Sequence, residues 1–183
     1  YTNNDRAYRA YLEGRFWWNK RSEAGLLKGI ELFDEAIRLD PTYALAYVGK
    51  ADCYALLGYY SRPPREVIPK AKQAVETALR LDDTLAEAYA TLGLILNECD
   101  WQWDAAEQAF QKALHLNPRY ATAHHWYANY LLATGSLDEA LQEARTARDL
   151  DPGSLVINAQ VGHAHYFRRE YDLAVQALRS TLE

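Results

Sequence analysis

The 183-residue sequence contains no methionine, only two cysteines, and no uninterrupted apolar run near the ~20 residues that a membrane helix needs. Each scarcity excludes something. Without an initiator Met, the chain is expected to be a piece of a longer reading frame, and Tyr1-Thr2-Asn3-Asn4 has neither the basic patch nor the apolar core of a secretory signal. Cys53 and Cys99 stand in separate segments, and no CxxC or Cys/His metal spacing occurs, so they read as small apolar side chains rather than ligands. Positive charge is also in short supply: 20 Lys and Arg against 25 Asp and Glu give a net charge of -5. A phosphate-binding surface needs clustered basic residues, so direct contact with nucleic acid is not expected. The phosphate loop, nucleophile elbow and zinc motif are missing as well, and no enzyme or cofactor is expected.

What is present is repetition. Glu35-Ala-Ile-Arg-Leu-Asp-Pro41, Thr77-Ala-Leu-Arg-Leu-Asp-Asp83, Lys112-Ala-Leu-His-Leu-Asn-Pro118 and Ala147-Arg-Asp-Leu-Asp-Pro152 are variants of one phrase, closing at intervals of 42, 35 and 34 residues. A 34-residue helix–turn–helix unit with the pattern W-x2-L-G-x2-Y, A-x3-F, Ala and Pro is the tetratricopeptide repeat, which these segments resemble. The best copy places Leu92, Gly93, Ala106, Phe110, Ala113 and Pro118 in register, with Tyr89 and Leu96 as stand-ins. His124, Tyr127, Ala128, Leu131, Ala140, Ala144, Ala147 and Pro152 follow at the same offsets, and then Asn158, Val161, Gly162, His165, Ala174, Leu178 and Thr181. Two looser copies precede them: Gly14 and Trp17 with Gly29, Phe33, Ala36 and Pro41, then Tyr47, Ala51 and Tyr54 with Ala71, Val75 and Ala78.

The expected fold is therefore all-α: a single domain, 1–183, of about five hairpins at roughly 8–41, 42–83, 84–118, 119–152 and 153–183, stacked into a right-handed superhelical solenoid. Small residues such as Gly93, Ala128 and Gly162 let the two helices of a hairpin approach closely, while Phe33, Phe110 and Leu178 fill the space toward the next repeat. Ten helices are expected, from about Asp5, Glu23, Tyr43, Pro64, Leu85, Trp103, Tyr120, Leu137, Ser154 and Tyr171, the last reaching Leu182. Ser136-Leu-Asp-Glu139 reads as a capping box, and the carboxylates of Asp100-Trp-Gln-Trp-Asp104 as helix caps rather than an acid/base pair. Pro69 is the conflict: the helix around it should kink or begin nearer Val67.

Beyond the generic repeat, Tyr11-Leu-Glu-Gly-Arg-Phe-Trp-Trp-Asn-Lys-Arg21, Tyr43-Ala-Leu-Ala-Tyr47, Asp100-Trp-Gln-Trp-Asp104 and Ala123-His-His-Trp-Tyr-Ala128 are similar to one group of bacterial proteins. In that group a tetratricopeptide region follows a winged-helix transcriptional regulatory domain, a Ser/Thr protein kinase or an adenylate cyclase domain. The resemblance implies a regulatory or signalling parent with a cytoplasmic location, or a periplasmic one if a membrane span lies upstream.

Such modules take partners on the concave wall formed by the first helix of each pair. Helical phase assigns to it Tyr8, Tyr11, Arg15 and Trp18; Leu45, Val48, Asp52 and Leu56; Glu87, Ala90, Leu94 and Asn97; Thr122, His125, Asn129 and Leu132; and Val156, Ala159, His163 and Tyr166. The mixed apolar, aromatic and polar wall suits an extended peptide or amphipathic helix. The Lys/Asn clamp of chaperone-binding relatives is absent, because Val48 with Asp52, Ala90 with Leu94, and His125 with Asn129 stand in the comparable places. Trp17 is expected to pack and Trp18 to face the groove. His124-His125 and His163-x-His165 hold no metal alone, since neighbours one or two apart on a helix point to different faces. Two alternatives to docking remain: self-association into a homodimer through Leu173, Leu178 and Leu182, or a groove that senses a small inducer.

Overall fold

A computed structural model describes residues 2–181. Among them are ten α-helices: α1 (Asp5–Trp18), α2 (Glu23–Leu39), α3 (Ala44–Tyr60), α4 (Pro64–Leu81), α5 (Ala86–Ile95), α6 (Trp103–Leu116), α7 (Ala121–Thr134), α8 (Leu137–Leu150), α9 (Leu155–Phe167) and α10 (Tyr171–Ser180). No helix among the described residues is long and apolar enough to cross a membrane. Consecutive helices pair as antiparallel hairpins, and the odd-numbered helices also touch one another in sequence, α1 to α3, α3 to α5, α5 to α7 and α7 to α9. The odd helices thus form one wall of the stack and the even helices the other.

Several hairpins close where a large apolar side chain of one helix rests on a glycine of its partner. Phe33 on α2 is fully buried. A Cβ at Gly14 on α1 would stand 2.7 Å from its ring, and one at Gly49 on α3 only 2.4 Å away. One phenyl ring therefore sets two helix–helix distances, within its own hairpin and toward the next. Phe110 repeats the arrangement against Gly93, and Leu178 against Gly162.

Three local expectations are corrected. α4 runs unbroken from Pro64 through Pro69. Pro69 is exposed, so the carbonyl that loses its partner, that of Arg65, faces water and the helix carries the substitution at low cost. The capping box does not form, because the Ser136 N–H is already bound to the Leu131 carbonyl at 2.9 Å in the turn made by left-handed Gly135 (φ 89°). Glu139 has no donor left to reach back for. Asp100 does not cap α6 either; it pairs with Lys72 at 2.7 Å, while Asp104 lies in the first turn of α6, where the helix dipole favours an anion.

The end of α5 departs furthest from a regular helix. Leu96–Asp100 winds as a π turn, and Trp101 follows in the left-handed region at φ 56°. Leu182, the last expected position of α10, lies outside the described residues.

The glycine contacts yield a stability prediction. Gly49→Ala should destabilise the chain by about 1–3 kcal/mol in urea unfolding, the overpacking cost exceeding the roughly 1 kcal/mol gained in helix propensity. An unchanged or higher midpoint would mean that Phe33 does not set the spacing.

Candidate functional site

The concave wall is built from α1, α3, α5, α7 and α9, and at its centre lies a buried charge. Asp52 on α3 has no exposure. Its carboxylate accepts a hydrogen bond from Arg15 Nη1 of α1 at 2.8 Å and another from the Thr91 hydroxyl of α5 at 2.5 Å. Three successive repeats meet in that contact. Burial pushes the Asp52 carboxyl up, against the pull of Arg15 and Thr91. Burial also opposes the Arg15 charge, but Tyr120, Asp52 and Tyr11 outweigh it and hold the guanidinium proton above its usual value. The pair is ionic, because arginine does not give up its proton and a neutral Asp52 would strand it.

Around this centre the wall is packed rather than open. Trp18, Val48, Leu56, Ala90, Leu94, Asn97, His125 and Leu132 are buried together with Asp52. Tyr11, Arg15, Leu45, Glu87, Thr122, Asn129, Val156 and Ala159 are half-buried, while Tyr8, His163 and Tyr166 are exposed. Trp18 lies on the inner wall as expected but is closed off rather than open to the groove. Trp18 is enclosed between Arg15 and Arg21, whose guanidinium carbons lie 3.9 and 3.7 Å from its ring, whereas Trp17 is 38% exposed. Helical phase finds which residues face inward; it does not reveal that the superhelix winds tightly enough to bring the end of α1 over α7 and α9.

Two openings remain. A cleft of about 720 Å³ runs between the turn after α1 and the start of α9, lined by Asn19, Lys20, Arg21, Tyr60, Asp151, Gly153, Ser154, Leu155 and Val156. Deeper lies a cavity of about 130 Å³ that shares Arg21, Tyr60 and Val156 with it and adds Leu56, Tyr59, Leu94, Glu98, His125, Trp126, Asn129, Ala159, Gln160 and His163. Arg21, Tyr59, Tyr60, Glu98, Trp126 and Gln160 were not foreseen. Tyr60 and Gln160 stand one turn beyond Leu56 and Val156, and extending the inward stripe by i+4 finds them. The same step from Leu94 reaches Glu98, which lies in the π turn after Ile95.

The histidines divide as their spacing requires. His124 joins α7 to α8 through Glu143 at 2.5 Å and the Pro118 carbonyl at 2.9 Å. His125 turns inward, with Nδ1 buried and unpartnered. His165 pairs with Glu170 at 2.6 Å, and His163 borders the cavity.

Known proteins can now be set beside this geometry. The tetratricopeptide-repeat sequence pattern matches residues 102–154. A solved thermophilic tetratricopeptide-repeat protein of Thermus thermophilus superposes with a TM-score of 0.75 at 16% identity, covering 96% of this chain and 90% of that one. The chain folds as a solenoid of the tetratricopeptide-repeat type. The right-handed superhelix expected of the family accounts for odd helices on the inner wall and even helices outside. YrrB, described as a tetratricopeptide-repeat protein with an unusual peptide-binding site, matches at 25% identity with a TM-score of 0.55, covering 86% of this solenoid and 76% of YrrB. The transcriptional regulator HilA of Salmonella typhimurium is 28% identical over 145 residues, 78% of this chain and 26% of that protein, and HilA of Salmonella typhi matches equally. The solenoid thus spans about a quarter of the length of the curated relatives it matches.

Two predictions come from the wall. Asp52→Ala leaves Arg15 without its partner and should cost about 3–5 kcal/mol in urea unfolding, whereas replacing both by leucine should recover most of the loss. A small effect of the single change would show that the centre does not hold the three repeats together. The second concerns acid. Burial first, then the charges of Arg21 and His163, pushes His125 down to about 3 from its ordinary 6.5. Its contribution to stability is complete above 6.5 and is lost as the pH falls toward the folded value. His124 acts oppositely: burial opposes its charge, but Glu143 and the Pro118 carbonyl prevail and raise it, so its contribution fades as the pH rises. Lowering the pH from 6.5 toward about 4 should destabilise the parent relative to His125→Gln by roughly 1 kcal/mol per pH unit. Parallel stability curves for the two would contradict a neutral, buried His125.

Proposed function

We propose that the solenoid is a peptide- or protein-docking module of a transcription regulator, working in the cytoplasm, whose effector lies elsewhere in the parent protein. The observation that carries this reading is the cleft between the turn after α1 and the start of α9. It encloses about 720 Å³, and its rim combines Tyr60 and Leu155, 49% and 64% exposed, with the polar groups of Asn19, Lys20 and Ser154. Exposed aromatic and apolar anchors inside a polar rim are the composition of protein-binding patches. The likeness to HilA supports a regulatory parent, and the peptide-binding site named for YrrB shows what a related stack holds. On this reading the partner lies along Tyr8, Tyr11, Thr122, Asn129, Val156, Ala159, His163 and Tyr166, where the inner wall is still accessible, rather than on the closed centre.

Self-association is the second reading, and it rests on α10. Leu173, Val175 and Leu178 are 48%, 49% and 36% exposed, and only Ala174 of that helix is buried. Sedimentation at micromolar concentration separates the two, since a monomer removes the dimer.

Docking is tested by selecting peptides from a displayed library against the chain and measuring their affinity for a Tyr60→Ala, Leu155→Ala variant. Both side chains are exposed, so the melting curve should hardly change, while affinity should fall at least about tenfold if they are anchors. Peptides that bind the variant as well as the parent would rule out the cleft.

A further inference from the structure

The inner cavity carries one cation and one anion that, among the described residues, have no ion-pair partner. Arg21 stands in the turn after α1 at a positive φ of 49°, so its direction is set by the turn rather than by helical phase. Its guanidinium lies over the Trp18 ring, and its Nε is buried without an acceptor. Glu98 comes from the π turn of α5 and accepts one hydrogen bond, from Asn97 Nδ2 at 2.8 Å. His125 lines the same cavity, 6% exposed, with Nδ1 buried and unpartnered. Leu56, Leu94 and Val156 supply apolar wall.

Arg21 and Glu98 are half-buried, and a charge partly withdrawn from water without a counter-charge gains from a ligand that supplies one. A simple anion would satisfy Arg21 but worsen the position of Glu98, and a simple cation would do the reverse. Only a molecule bearing both charges a few atoms apart answers both walls. We propose that the cavity is a binding site for a free α-amino acid with a small apolar side chain, its carboxylate on Arg21 and His125, its ammonium on Glu98, and its side chain among Leu56, Leu94 and Val156. A volume of about 130 Å³ limits the ligand to a small one. The cavity shares Arg21, Tyr60 and Val156 with the docking cleft, but the interior of a peptide lacks both charges, so the two readings call for different ligands and the blocked derivatives tell them apart.

The test is calorimetric titration and thermal melting of the 183-residue chain with alanine, valine and leucine, each alongside its N-acetyl and its carboxamide derivative. At least one free amino acid should bind and raise the Tm by several degrees. Blocking either charge should weaken binding at least about tenfold, and Arg21→Gln and Glu98→Gln should each do the same to the free ligand. If a variant does not fold, the derivatives on the parent chain still decide the matter. Absence of binding by all three amino acids, or equal binding of a blocked derivative, overturns the proposal.

Discussion

Everything on the concave side depends on the Asp52 carboxylate having been taken out of water. A charge so placed needs donors from its surroundings, and these come from α1 on one side and α5 on the other. An apolar side chain at this position would hold α1, α3 and α5 together over a range of angles, because dispersion contacts are non-directional. A guanidinium and a hydroxyl on one carboxylate accept a narrower range. The contact therefore helps to fix the pitch at which successive hairpins turn, and the pitch decides how far the end of α1 travels toward α9.

The glycine contacts work at a shorter length scale. Phe33 against Gly14 and Gly49 sets how closely helices approach, and the Arg15–Asp52–Thr91 contact sets their relative rotation. Spacing and rotation together wind the inner wall tightly enough that Trp18, Leu56, Leu94 and His125 become buried. The usual site of partner binding in such a stack is thus largely occupied by the protein's own side chains, leaving a cleft at the rim and a small cavity beneath it.

The fold was legible in the sequence because each repeat states its packing locally. Gly93 with Phe110, and Gly162 with Leu178, are pairs 17 and 16 residues apart, and the structure brings each pair into contact. The boundaries of nine of the ten helices lie within about two residues of the expected ones, the usual scatter at helix ends. The exception is α5, where a π turn follows Ile95; nothing in Leu96-Asn97-Glu98-Cys99-Asp100 declares an i→i+5 bond. The wall residues were legible as facing inward but not as buried, because exposure there depends on how the turn after α1 sits against residues of α7 and α9, more than a hundred positions away. Local caps failed for a related reason: Asp100 and Ser136 found partners in Lys72 and the Leu131 carbonyl, one tertiary and one belonging to the preceding turn.

The π turn also has a consequence for the electrostatics of the inner wall. Helical phase placed Asn97 inward, yet the cavity is bordered by Glu98, a carboxylate raised by burial and helped only by the Asn97 amide. Arg21 opposite is lowered by burial. Glu98 stands one turn beyond Leu94, so the face that lines the cavity carries on into the π turn. π turns insert a residue at a cost in hydrogen-bond geometry and are frequent at functional sites. Glu98 in that turn brings a second, opposite charge to a wall that already held an unpaired guanidinium, while the adjacent Asp52 centre is charge-matched by the protein itself. A solenoid that neutralises one buried charge and leaves two opposite ones facing a shared cavity has separated a structural charge from a pair available to a ligand.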